Sequence, residues 1–307
     1  MDIAVAIPTY NRAALLPATL DAVLAQTLQP TEIVVCDDGS TDDTGAVLAR
    51  YASQVQGCQI PNAGPGSARA AAIAATRASW IALCDSDDLW DPTHLARLAM
   101  LAQRWPGATL LFTNFQTFGP AARDPRDKFA SAPPGWWPQM IKTREDDFAD
   151  LGLAPYTGFL SFQPIFPSAM MFRRELYDAV GGIWPAVSRW RAEDAHLTRR
   201  LLLRARVACD FQPTTAIRKH PGNFSAEDLK NDEAGLRILQ ALRQEPIVQA
   251  SFLAAHEAAI TRDTAALFRG YFYARQFAAA AHLAADNPAL ALGWRRSAAR
   301  LLGPLLN

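Results

Sequence analysis

Three short apolar runs, Ile3 to Ile7, Glu32 to Cys36 and Trp80 to Cys84, and a weaker strand signal at Gln56 to Ile60 alternate with stretches whose apolar residues recur at helical intervals. Arg12 to Gln26 spaces Leu15, Leu16, Leu20, Val23 and Leu24 in this way. Thr41 to Tyr51, with Thr41 or Asp42 placed as its cap, and the Ala-rich Ser67 to Thr76 are the next two predicted helices. This rhythm constrains the fold strongly, because parallel strands need crossover helices and are buried on both faces. The predicted class is α/β, a doubly wound, mostly parallel sheet with helices on both faces. Ligands bind such sheets beyond the carboxyl ends of the strands. Pro8-Thr9-Tyr10, Asp37-Asp38 and Asp85-Ser86-Asp87 each stand at such an end.

Asp85-Ser86-Asp87-Asp88 puts three carboxylates into four positions directly after a buried strand. Like charges this close destabilise one another unless a cation or a proton is present. A hard divalent ion held by carboxylate and phosphate oxygens is one remedy. A solvated acidic turn that caps the next helix is the other reading.

Further along, Thr93–Gln103 is a predicted helix, Thr109 to Phe115 a strand, and residues 119–150 a long excursion rather than an element. Pro167 to Phe172 resumes a strand, followed by helices at Arg173–Val180 and Glu193 to Arg204. From about residue 226 the pattern is helical, broken at Pro246, Pro288 and Pro304. Thirty Lys and Arg balance thirty Asp and Glu, which argues against a nucleic-acid partner bound through bulk positive charge. Cys36, Cys58, Cys84 and Cys209 have no C-x-x-C or metal spacing and read as reduced thiols of a cytoplasmic protein. Neither a signal peptide nor an apolar run long enough to span a bilayer is expected.

Seven motifs in order carry a resemblance: Ile7-Pro8-Thr9-Tyr10-Asn11-Arg12, Val35 to Asp42, Asn62 to Arg69, Asp85 to Asp88, Gly181-Gly182, Glu193-Asp194 and Arg218 to Asn223. Together they resemble glycosyltransferase family 2, over roughly residues 3–225. The resemblance implies a GT-A fold in a catalytic domain of residues 1–225, with a nucleotide-sugar-binding half (1–118) and an acceptor-side half (119–225). Residues 226–307 would be a helical C-terminal extension. It also implies transfer of a sugar, with inversion, from a nucleotide-diphosphate donor, with a leaning to UDP, to an acceptor hydroxyl.

The implied donor-binding residues are Pro8, Thr9, Tyr10, Arg12, Asp37, Asp38, Arg69, Asp85 and Ser86. Tyr10 would offer its ring to the base, Asp38 would accept from the base edge, and Arg69 would meet a phosphate or the base. Asp87 and His220 would approach a Mn²⁺ or Mg²⁺ ion that neutralises the departing diphosphate. Asp194 would be the base, with Glu193 orienting it or contacting the acceptor. For each there is a structural alternative: Tyr10 in the core, Asp37 and Asp38 as caps, Arg69 solvated, His220 a hydrogen-bonded loop residue, and Glu193-Asp194 as acids favoured at a helix start. Trp136, Trp137, Trp184 and Trp190 would stack on sugar rings or fill the core.

The sequence departs from the family pattern at Ile183-Trp184-Pro185 and Ala195-His196, on the expected acceptor side. The acceptor class stays broad: a surface polysaccharide, a saccharide or a lipid-linked saccharide. Between Arg262 and Asn307 six arginines face two aspartates, a net charge of +4, interleaved with apolar residues. Such helices would lie on the inner face of the membrane, or pack on the catalytic domain or on a second copy in a homo-oligomer. A sugar-nucleotide nucleotidyltransferase and a non-catalytic nucleotide-sugar-binding module remain the alternatives. The first would open with a glycine-rich loop, which Pro8–Arg12 lacks, and the second would not need both Asp87 and Asp194.

Overall fold

The computed structural model of the chain describes residues 1–122, 127–220, 227–287 and 290. It divides into two compact units, Met1–Ala226 and Glu227–Asn307.

In the first unit ten strands form one sheet. They are β1 (Ile3–Thr9), β2 (Glu32–Asp37), β3 (Gln56–Gln59), β4 (Trp80–Leu83), β5 (Leu89–Trp90), β6 (Leu110–Phe118), β7 (Thr143–Glu145), β8 (Phe148–Leu153), β9 (Met170–Arg173) and β10 (Arg206–Arg218). The order is β3-β2-β1-β4-β9-β6-β10-β8-β7, with β5 on β10. β1 to β4 pair in parallel. Their crossovers are α1 (Leu16–Leu24), α2 (Thr44–Arg50) and α3 (Pro65–Ala74). The strand order reverses between β1 and β4, so the binding crevice belongs beyond their carboxyl ends.

Alternation along β1 turns Ile3, Val5 and Ile7 into a core with Leu16, Leu20 and Val23 of α1 and Val47 of α2. α3 covers the other face, where its small Ala68 and Ala72 are fully buried beside β1. The sheet is mixed beyond β4, because β9 runs antiparallel to both β4 and β6, and β8 to β10. α4 (His94–Arg104) precedes β6.

Residues 119–150 differ from the expected excursion. They hold α5 (Trp136–Met140), β7 and the start of β8. Trp136 packs edge-on against Trp137 and Phe159, and Trp137 lies tilted against Phe129 and Phe211. An aromatic core of this kind gives the segment its own reason to be ordered. α6 (Tyr156–Phe159), α7 (Arg174–Ala179) and α8 (Glu193–Leu202) complete the unit. β10, the longest strand, has no counterpart in the sequence reading. Its pairing with β6 shifts register on both sides of Pro213, which erases the period-2 pattern.

The second unit is helical: α9 (Asp228–Leu242), α10 (Leu253–Tyr273) and α11 (Phe277–Asp286) enclose Leu236, Leu267, Tyr271 and Ala280. Pro246 falls between α9 and α10 as expected. Pro288, Pro304 and the basic residues Arg295, Arg296 and Arg300 lie outside the described residues. Among the described residues no helix is long and apolar enough to cross a membrane.

Candidate active site

The loops after β1 and β2 are tied to each other. Asn11, at φ 50°, donates its backbone N–H to Ser40 Oγ (2.8 Å) and accepts the Thr41 N–H on its side-chain oxygen (2.8 Å). Arg12 N–H donates to Thr44 Oγ1 (2.9 Å). Asn tolerates this left-handed conformation better than most residues. Pro8 and Thr9 end β1, with Thr9 buried and level with Asp37. Tyr10 is 43% exposed, which leaves its ring available to a ligand and places it outside the core.

Asp37 and Asp38 are both buried and already hydrogen-bonded. Asp37 Oδ1 accepts from the N–H (3.0 Å) and hydroxyl (2.5 Å) of Ser40. Asp38 accepts from the backbone N–H groups of Ala63 (2.7 Å) and Gly64 (2.9 Å) and from the Asn62 amide (3.3 Å). Neither caps α2, which starts at Thr44 and donates the Thr44 N–H to Asp42 Oδ1 instead. Asp38 therefore shapes the 62–64 loop before α3. Gly64 and Gly66 are needed there: a Cβ on Gly64 would stand 2.7 Å from the Ser188 carbonyl, and one on Gly66 would stand 2.8 Å from the Ser188 Cα.

In the turn after β4, Asp85, Asp87 and Asp88 send their side chains in three directions. Asp85 Oδ1 accepts from Arg69 (2.8 Å). Ser86 is buried. Asp87 Oδ2 lies 3.3 Å from His220 Nε2 and 3.6 Å from Arg12 Nε. Asp88 turns inward, accepting from Ser168 Oγ (2.6 Å) and the Arg218 N–H (2.8 Å). Burial, then the charges of Asp85 and Asp87, push its carboxyl well above the usual range.

Arg69 is not the solvated helix residue of the structural alternative. It is 3% exposed, and its guanidinium is held between carboxylates, hydrogen-bonded to Asp85 and to Glu193 Oε1. Burial opposes its charge, but Glu193, Asp85 and Asp194 more than offset that and keep it cationic. Burial raises Glu193 to about 7 against the pull of Arg69, with Asp194 adding to the rise. Burial likewise raises Asp194, opposed by Arg69. The Glu193-Asp194 pair opens α8 directly after Ala192, which sits at φ 60° without being glycine. Residues in this strained region persist where the surrounding structure dictates them, and such strain gathers at functional sites.

The structure thus gathers two clusters of contacts beyond β1 and β4, Arg12–Asp87–His220 and Asp85–Arg69–Glu193, which meet at the Asp85–Asp88 turn. Gly181-Gly182 stand apart. Both have positive φ and end α7, where Gly182 N–H bonds Tyr177 O (2.9 Å). Trp184 lies against His196 and Arg200 of α8, which is packing within the fold. Sequence reasoning missed Ser168 and the backbone role of Arg218. A serine before an apolar strand carries no signal, and Arg218 was legible only as part of its motif.

An ion at Asp87 would have a carboxylate oxygen and an imidazole nitrogen turned towards each other, a donor set open to a divalent cation. Among the described residues no group of three or more His, Cys, Asp or Glu side chains is placed to hold a metal. The two residues fit an ion whose remaining ligands are phosphate oxygens and water.

Residues 4–181 match the model of glycosyl transferase family 2. An uncharacterized glycosyltransferase of Nostoc sp. is 38% identical over 107 residues, 34% of this chain and 33% of the relative. The Escherichia coli UDP-Glc:alpha-D-GlcNAc-diphosphoundecaprenol beta-1,3-glucosyltransferase WfaP is 33% identical over 96 residues, 31% of this chain and 38% of the relative. The chain thus spans well under two thirds of the length of these relatives. S. aureus TarS 1-349 in complex with UDP is similar in fold, with a TM-score of 0.61 at 19% identity, over 90% of this chain and 73% of that one. The mannosyltransferase PcManGT from Pyrobaculum calidifontis, in complex with GDP-Man and Mn²⁺, has a TM-score of 0.54 at 19% identity, over 93% and 81%.

Proposed function

The chain belongs to glycosyl transferase family 2, and from that premise we propose that it moves a sugar, with inversion, from a UDP-sugar to an acceptor hydroxyl. The observation that carries this reading is the link from Asp85, beside the donor crevice, through Arg69 to Glu193, beside the proposed base. Donor-side and acceptor-side carboxylates meet at one edge of the sheet, as a single displacement requires.

Tyr10, with Pro8 and Thr9 behind it, offers a face to the base. Asp37 and Asp38 shape the loops that surround the base, and Asp85 and Ser86 line the ribose side. Asp87 and His220 would hold Mn²⁺ or Mg²⁺, and Arg12 adjoins the same oxygen. The ion, when bound, neutralises charge on the leaving diphosphate. Asp194 takes the proton from the acceptor hydroxyl; the Arg69 hydrogen bonds go to Glu193 and Asp85 rather than to it. Burial raises its pKa, which makes it a stronger base than an ordinary aspartate. Glu193, clamped by Arg69, orients it.

WfaP acts on a diphosphoundecaprenol-linked sugar, which supports a lipid-linked acceptor and a place in surface polysaccharide or glycoconjugate synthesis. Peripheral contact with the inner face of the membrane through residues 262–307 would suit such an acceptor. The test of the donor is thermal-shift screening of UDP-, GDP- and dTDP-sugars with Mn²⁺, since a ligand of the native state raises its stability. Stabilisation by UDP-sugars above the others supports the reading, and stabilisation by GDP- or dTDP-sugars alone overturns the base assignment. Co-sedimentation of the full chain with anionic but not neutral vesicles tests the membrane contact, and no sedimentation with either refutes it.

A further inference from the structure

β9 runs antiparallel to β4, with Ala82 opposite Met171 and Trp80 opposite Arg173. It therefore enters the sheet at the edge where β4 leaves it. The short 3-10 turn before it, Pro167–Ala169, is thereby laid against the Asp85–Asp88 turn. Ser168 is fully buried there. Its Oγ accepts the backbone N–H of Asp85 (2.9 Å) and donates to Asp88 Oδ2 (2.6 Å). A hydroxyl has one proton to give and lone pairs to accept with, so this one group ties both ends of the four-residue turn.

Ser168 is itself anchored. Its carbonyl accepts from Trp90 Nε1 (2.6 Å) and from Thr215 Oγ1 (3.2 Å). The other oxygen of Asp88 accepts the Arg218 N–H, while the Arg218 Nε donates to the Asp87 carbonyl (2.9 Å). With Asp88 drawn inward by these bonds, Asp85 and Asp87 are the carboxylates left facing the crevice.

We infer that Ser168 is a positioning residue: it fixes the Asp85–Asp88 turn so that Asp85 and Asp87 meet a nucleoside diphosphate. The inference rests on the donor reading above. Asp88 on this account is a buried strut and not a ligand. Removing the hydroxyl leaves the Asp85 N–H without its acceptor and a buried carboxylate without one of its donors, the costly kind of deletion.

The test is titration of UDP, with and without Mn²⁺, into the full chain and into S168A, D88N, the double variant and L101A. S168A and D88N are each expected to weaken Mn²⁺-supported UDP affinity about tenfold, through loss of hydrogen bonds to buried groups of the turn. The double variant is expected to weaken binding by less than the sum of the two single effects, because the Ser168–Asp88 bond is common to both while S168A alone also frees the Asp85 N–H. L101A, which truncates a buried core side chain of α4, is expected to lower the melting temperature and leave UDP affinity unchanged. A general loss of structure would instead weaken UDP in L101A and S168A together. Unchanged affinity in a folded S168A, or full additivity in the double variant, overturns the inference. If S168A does not fold, S168C keeps the shape with a weaker donor and carries the same comparison.

A second readout needs no ligand. Hydrogen exchange at the Asp85 amide is expected to speed up in S168A and S168C, and unchanged exchange overturns the role of Ser168. Failure of the wild-type chain to bind UDP contradicts the donor reading instead, and the exchange result then decides the role of Ser168.

Discussion

Arg69 and Glu193, 124 residues apart in sequence, form a hydrogen-bonded ion pair in which both side chains are almost wholly buried. The second arm of Arg69 holds Asp85, so one guanidinium joins the turn after β4 to the start of α8. Removing one partner of a buried pair leaves the other charge uncompensated. Arg69→Met is expected to cost about 3–5 kcal/mol in denaturant unfolding. Arg69→Lys keeps the charge but loses the two-armed geometry and is expected to fall between. A fully stable Arg69→Met would show that the pair does not hold these segments together.

Glu193 gives stability a pH dependence of definite sign. Its folded pKa, about 7, is above the value of about 4.3 expected in an unfolded chain. Between those values the native state holds a proton that the unfolded state has released. Its contribution to stability is therefore full below the lower value and is lost as the pH rises through about 7. Glu193→Gln cannot titrate, so the wild type is expected to lose stability relative to this variant between about pH 4.3 and 7. Parallel pH profiles of melting temperature would contradict the raised pKa.

Gly64 is a packing prediction that needs no assay of function. It has φ 98°, and a Cβ there would press on the Ser188 carbonyl and on Arg189. Gly64→Ala is expected to destabilise by about 1–3 kcal/mol through strain and overpacking. Gly45, which has open space around its Cβ direction, is the control, and Gly45→Ala is expected to be neutral or stabilising. Equal effects at the two positions would refute the close approach.

The parallel half of the sheet was legible because the runs of β1, β2 and β4 are uninterrupted and each ends in a polar turn, while β3 gave only a weak signal. The helical tail as far as Asp286 was legible from its periodicity. β10 was hidden by the register shifts around Pro213, and the 119–150 segment by its prolines and mixed charges, which outweighed the aromatic cluster of Trp136, Trp137 and Phe129. At the site, motifs gave the identities of Asp85, Asp87, Glu193 and His220 but not their partners. That Arg69 binds carboxylates and that Asp38 binds the 62–64 backbone depends on which segments the sheet brings together. No local pattern carries that information.

Asp87 separates metal-supported from metal-independent donor binding. Asp87→Ala is expected to remove most of the gain in UDP affinity that Mn²⁺ gives, in a variant whose melting transition shows that it is folded. UDP titrations with and without Mn²⁺ read this directly. An undiminished gain would take Asp87 out of the metal role.

The base is the point at which the proposed reaction stands or falls. Asp194→Asn keeps the size and hydrogen-bonding capacity of the side chain and removes only its basicity. The decisive measurement is turnover, read as UDP released with saturating UDP-sugar and acceptor, alongside UDP-sugar affinity for the same protein. The expected result is unchanged affinity with turnover lowered by about two orders of magnitude or more. Near-normal turnover in Asp194→Asn would contradict the account.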